Sequence, residues 1–237
     1  MINNNYVMER YALQLKVSLI GIKPLIWRRV IVNADMPLGE LHEVIQTIMP
    51  WDDGHIHRFY NKEQIYMMPY EECDYPENTA QMKAYKDALI EDVLTEKGQR
   101  LKYEYDFGDS WIHDILVEAI LPPLESRDAI FVKGKNAAPP EDCGGVWGYE
   151  HFKEIMSNPK HPEYKDLVEW LGLEEGEVFD PTDIGCTIED MNDMLSCDPI
   201  ASEGGIEMLE KALADDKLPV EFRDGLMYAL SKLKKDY

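Results

Sequence analysis

The chain has 237 residues, 45% of them hydrophobic and 30% charged, which is enough to bury a full core and matches a soluble globular protein. Its 24 basic and 46 acidic residues give a net charge of −22, which opposes contact with a phosphate backbone and argues against direct nucleic-acid binding. No apolar run approaches the roughly 18 residues of a membrane span, so no transmembrane helix is expected.

Residues Tyr11–Leu19 alternate apolar and polar side chains with a period of two, which predicts a half-buried strand. Gly21 and Pro24 punctuate a turn. The β-branched run Leu25–Val32 then predicts a second strand paired as a hairpin. From Pro37 the period changes. Leu38, Leu41, Ile45 and Ile48 share one helical stripe, Glu40, Glu43 and Gln46 lie opposite, and Pro50 closes the helix. Trp51-Asp52-Asp53-Gly54 predicts a turn, and His55–Tyr60 a short strand.

Residues 61–86 have no firm period and suggest a polar, tyrosine-rich loop with one helical turn near Thr79–Lys86. Leu89–Leu94 suggests another short turn of helix. Arg100–Phe107 and Trp111–Leu121 predict paired strands that break at Gly108 between two aspartates and end at Pro122-Pro123. Residues 124–142 suggest a long loop. Helices are expected at Tyr149–Ser157, Pro162–Leu171, Ile188–Leu195, Gly205–Asp215 and Pro219–Lys234. Strands fill the first half and helices the second. The fold class is therefore α+β, a mixed or antiparallel sheet with a helix packed across it in β-grasp-like order and a helical C-terminal region.

The acid excess lies beyond residue 60, because residues 1–60 hold six basic and six acidic residues. The start Met1–Tyr6 has no basic region followed by an apolar stretch, so no secretory signal is expected. Cys73, Cys143, Cys186 and Cys197 form no C-x-x-C pair, which favours reduced thiols in a cytoplasmic protein. No glycine-rich phosphate loop or G-x-S-x-G elbow is present, which argues against nucleotide-driven and α/β-hydrolase chemistry.

Three constellations carry chemistry. His55 and His57 stand two apart on the expected strand and so project from one face. With His113 and the carboxylates of Asp52, Asp53, Asp106 and Asp109, they suit a divalent metal or acid–base catalysis, with His113 and Asp109 as the catalytic candidates. Asp106 and Asp109 equally suit turn capping. In Pro139–Tyr149, Gly144-Gly145 permits close backbone approach. Glu141 and Asp142 oppose a low thiol pKa at Cys143, so a packing cysteine is expected there. In Trp27-Arg28-Arg29 the outer two share a strand face, which suits guanidinium stacking, ion pairing or an anion site.

Four segments in order resemble one family. They are Gly21–Val30, Leu38–His42 running on to Trp51–His57, Tyr103–His113, and Pro139–Tyr149. With Phe179-Asp180-Pro181 and Ile188–Asn192 behind them, they are similar to the plasmid pRiA4b ORF-3-like proteins, labelled IS1096-element passenger (TnpR-type) proteins. The resemblance covers about residues 10–195. It implies a single α+β domain (1–195) without an established activity, with 196–237 a helical appendage and the mobile-element label a genetic context. The family places a second cysteine before the two prolines, where this chain has Ala138, so a pairing with Cys143 is not expected.

The expectation is a non-enzymatic binding module for a protein or small ligand, with Trp27, Arg29, Asp106, Asp109, Trp111 and Trp147 lining a groove. The alternative is a metal-dependent enzyme with a divalent cation on His55, His57 and His113.

Overall fold

The alternating N-terminal run forms β1 (Ala12–Leu19). The β-branched run after the turn forms β2 (Trp27–Asn33), antiparallel to it from Ala12↔Asn33 to Ser18↔Trp27. The computed structural model describes residues 10–67, 82–85, 88–174, 177–196 and 213. The apolar stripe becomes α1 (Leu38–Ile48), with Pro37 at the N-cap. Leu38, Leu41, Ile45 and Ile48 are fully buried. Gln46, expected on the solvent side, is buried as well, because its amide finds partners inside the molecule.

Six further strands are β3 (His57–Tyr60), β4 (Ile65–Met67), β5 (Met82–Ala84), β6 (Arg100–Tyr105), β7 (Trp111–Leu121) and β8 (Ile130–Lys135). Together they form one eight-stranded sheet in the order β5-β4-β3-β6-β7-β1-β2-β8. Every neighbouring pair is antiparallel except β4 and β5. The fold class is α+β, and this order lends nothing to the β-grasp-like arrangement.

Three strands arise where loops were expected. β4 and β5 have three residues each, too few to show an alternation, and Met82–Ala84 replaces part of the expected helical turn. β8 is an edge strand whose burial alternates poorly. The helices are α2 (Gly145–Met156), α3 (Tyr164–Trp170) and α4 (Ile188–Leu195). α2 starts four residues early because Gly144, at φ 89°, provides a left-handed N-cap that a side-chain-bearing residue resists. α4 has its predicted bounds, fixed by a Thr187–Asp190 capping box. It is tied to β8 through the Asn192 amide, which bonds the N–H and C=O of Phe131. The helices expected at Gly205–Asp215 and Pro219–Lys234, and the appendage at 196–237, lie outside the described residues but for Ser196 and Leu213. No helix among the described residues is long and apolar enough to cross a membrane.

One sheet face makes the core. Trp111, His113, Ile115 and Val117 alternate inward on β7, beside Leu101, Tyr103 and Tyr105 on β6. Two polar devices lock this face. Arg28 is fully buried and donates from Nε to Ile48 O at the end of α1 (2.8 Å) and from Nη1 to Asn136 O (2.9 Å). It thus ties the carbonyl end of the helix to the segment after β8. Asp109 accepts a hydrogen bond from Gly144 N (3.1 Å), clasping the β6–β7 turn to the start of α2.

The clasp requires glycine. A Cβ on Gly145, whose φ is +67°, would stand 2.5 Å from Asp109 O, whereas one on Gly54 would meet nothing within 4 Å. Gly145→Ala is expected to cost roughly 1–3 kcal/mol of unfolding free energy, and Gly54→Ala to stay within about 0.5 kcal/mol of wild type. Urea titrations of the three proteins check this, and equal midpoints for Gly145→Ala and wild type would disprove the clasp.

Candidate functional site

The end of α1, the turn after it and the start of β3 converge on one side chain of the sheet. His42 and Gln46 lie four residues apart on α1, so both reach the same point below it. That point is the hydroxyl of Tyr103, 2.8 Å from His42 Nδ1 and 2.9 Å from Gln46 Nε2. Asp53, in the left-handed region at φ 55°, closes the circuit. Its Oδ1 lies 2.8 Å from His42 Nε2, and its N–H donates to Gln46 Oε1 (3.1 Å).

The direction of each hydrogen follows. A backbone N–H only donates, so Gln46 turns Oε1 to Asp53 and donates from Nε2 to Tyr103. Tyr103 then gives its single hydrogen to His42 Nδ1, and His42 donates from Nε2 to Asp53. The chain runs Gln46→Tyr103→His42→Asp53.

Next to it, the His57 ring stacks on His42 with centroids 3.4 Å apart and planes 10° from parallel, and meets Tyr85 edge-on at 5.1 Å. His57 Nε2 is buried without a hydrogen-bond partner, an arrangement that costs about 1–3 kcal/mol. Burial, reinforced by His42, pushes the His57 imidazole down to about 3. Burial also lowers His42 against the pull of Asp53, so the His42–Asp53 contact is a hydrogen bond from a neutral ring rather than an ion pair. Burial drives the Tyr103 phenol well up.

His42, Asp53, His57 and Tyr85 line a cleft of about 640 Å³ between α1 and the 53–57 segment, together with Pro37, Glu40, Glu43, Gly54, His55 and Ile56. Among the described residues, two groups of side chains bring three metal-ligating atoms within 4.8 Å of one another, one being His42, Asp53 and His57, the other His55, Asp106 and Asp142. The second is more open. His55 Nε2 lies 3.1 Å from Asp142 and Nδ1 3.8 Å from Asp106.

The expected triad of histidines does not assemble. β3 begins at His57, so His55 stands in the preceding loop and does not share a strand face with it. His113 is fully buried, bonded through Nδ1 to Trp111 O (3.0 Å) and edge-on to Trp51, and it belongs to neither donor group. Burial pushes it down to about 3.

The expected groove is likewise dispersed. Trp111 is core, while Trp147 is 87% exposed on α2. Trp27 lies on the opposite sheet face between Lys16 and Arg29, and Arg29 is paired with Glu118. Asp106 makes its turn by accepting from Gly108 N (2.8 Å), and Asp109 holds Gly144. Burial, with Asp109 and Asp142 nearby, pushes the Cys143 thiol up to about 12.

His57 and Asp53 stand out in the sequence as candidate ligands, whereas His42, Gln46 and the Tyr103 hydroxyl do not. The signal was the pair of polar residues four apart, both bordering an apolar helical stripe.

Residues 11–187 match the family described as plasmid pRiA4b ORF-3-like protein. An uncharacterized protein, y4hQ of Sinorhizobium fredii, is 33% identical over 165 residues, covering 70% of this chain and 83% of that protein. The crystal structure of a protein of unknown function, MM3350 from Methanosarcina mazei Go1, superposes with a TM-score of 0.65 at 34% identity, over 76% of this chain and 97% of that one.

The buried imidazoles set an acid limit on stability. His57 and His113 titrate near 6.5 when unfolded but near 3 when folded, so between those values only the unfolded chain takes up their protons. Their contribution is complete above 6.5 and is lost as pH falls, at about 1.4 kcal/mol per pH unit and per proton. Urea unfolding across that window should show a pH slope smaller by one proton in His57→Gln and in His113→Gln. An unchanged slope in either would show that histidine to be protonated when folded.

Proposed function

The chain belongs to the plasmid pRiA4b ORF-3-like family, and we propose that it is a cytoplasmic, non-enzymatic binding module that takes a small cationic ligand into the cleft beside α1. The observation that carries this reading is the charge of the lining. Glu40, Glu43 and Asp53 face the cleft, and no lysine or arginine is among the described residues that line it. Its volume of about 640 Å³ falls in the ordinary range for small-molecule sites. The ring of His57 and the neighbouring Tyr85 supply an aromatic wall, which suits an amine or other organic cation.

Binding rather than catalysis is favoured because His42 and Asp53 are committed to each other and the inner rings stay neutral. A nucleic-acid role finds little support. Arg28 is buried, Arg29 is paired with Glu118, and Arg58 with Glu104. The free thiols of Cys143 and Cys186 accord with a reducing compartment.

Gly54 offers a clean test, since a Cβ there meets nothing within 4 Å and Gly54 lines the cleft, which a leucine would narrow. Millimolar spermidine should raise the thermal midpoint of the wild type and leave Gly54→Leu and Asp53→Asn unmoved. An equal rise in all three would place the polyamine elsewhere on the acidic surface, and no rise in the wild type would end the reading.

A further inference from the structure

We infer that the inner end of this cleft is a transition-metal site in which His42 Nε2, Asp53 and His57 ligate one divalent ion of the zinc class. The inference rests on the reading that the cleft receives cations, and it names the ion.

Four observations carry it. The donor atoms of the three residues already lie within 4.8 Å of one another. Zinc bonds of about 2.0–2.2 Å set tetrahedral donors roughly 3.4 Å apart, so small side-chain movements close the gap. His57 is more than nine-tenths buried, and its Nε2 has no partner, which leaves a ligating atom committed to nothing. The Asp53 carboxylate is 58% exposed, so an ion has a route in from solvent. The far side of His42 is held by Tyr103, the outer support that metal-bound imidazoles commonly have.

Two nitrogens and one oxygen favour zinc, cobalt or nickel over calcium or magnesium, which prefer oxygen alone. Three protein ligands also leave a fourth position, open to water on the cleft side.

Binding requires two local changes. The parallel rings of His42 and His57 do not aim their in-plane lone pairs at one point, so His57 tilts out of the stack about its broad terminal torsion. The hydrogen on His42 Nε2 moves to Nδ1, and His42 then donates to Tyr103 instead of accepting from it. No net proton is released by that exchange. The Tyr103 hydrogen loses its acceptor, a cost that metal coordination exceeds several-fold.

The second group, His55 with Asp106 and Asp142, is the competitor. Its atoms are already paired with one another or with backbone, and none is a buried atom lacking a partner.

The test is calorimetric titration of tag-free full-length protein with Zn²⁺, with Co²⁺ added in parallel to read the ligand field from its visible bands. One ion per chain is expected, with tetrahedral Co²⁺ bands. Asp53→Asn and His57→Gln should each weaken binding more than tenfold, while His55→Gln leaves it within twofold. Asp53 is a half-exposed turn residue and asparagine also accepts its left-handed backbone, so Asp53→Asn stays folded even should His57→Gln fail. Absence of stoichiometric binding, or loss on His55→Gln but not on Asp53→Asn, overturns the inference. Spermidine stabilisation without metal binding would sink the metal site and leave the cationic cleft standing. Metal binding without spermidine stabilisation would do the reverse.

Discussion

The fold and the cleft both depend on the hydroxyl of Tyr103. This oxygen sits in the middle of an apolar sheet face and is the only point at which α1 makes side-chain hydrogen bonds to β6 among the described residues. Because the Asp53 N–H can only donate, one fixed donor sets the orientation of Gln46, Tyr103 and His42 in turn. Gln46, Tyr103 and His42 are thereby satisfied inside the core, where leaving any of them unpaired costs far more than a surface hydrogen bond gains, and the half-exposed Asp53 closes the circuit at its edge. The circuit also holds the 53–57 segment beneath α1, and that segment is one wall of the cleft.

The two faces of the sheet treat charge differently. On the outer face, Arg29 pairs with Glu118, Arg58 with Glu104, and Lys102 and Arg100 with Asp114. The carboxylates are the better buried partners (Glu118 11%, Glu104 9% and Asp114 15% exposed), and each pair neutralises the basic side chains it holds. On the inner face a guanidinium is buried without any carboxylate. Arg28 is instead surrounded by carbonyl oxygens at the end of a helix, and its burial lowers it to about 10, still charged at neutral pH. At the cleft, by contrast, Glu40, Glu43 and Asp53 meet no lysine or arginine among the described residues that line it.

Much of the architecture was legible in the sequence. Long elements with a clean period gave themselves away, as β1, β7, α1 and α4 did. The three-residue strands β4 and β5 carry too few side chains for any period, and β8 as an edge strand alternates weakly. The site was harder. His57 was visible, but pairing it with His55 assumed a strand that begins two residues too early. A helical wheel sorts by polarity and so groups Gln46 with Glu40 and Glu43, and only the tertiary partner Tyr103 makes its burial favourable. His113 looked functional because it is a histidine on a signature strand, yet its depth makes it part of the packing.

His57 and His113 are close physical analogues with different consequences. Both are buried, both stay neutral, and both have an unpaired Nε2. Only His57 borders the cleft, beside a second imidazole and an exposed carboxylate. An unpaired atom sealed in the core, as in His113, is a standing cost. One that borders a cavity is a cost that a ligand can repay. The same distinction applies to the motifs that mark the family. Trp111 fills the core, and Asp109 with Gly144 and Gly145 forms the clasp to α2. These residues are explained by the fold alone, so a match to them identifies the architecture and leaves the ligand to be read from the cleft.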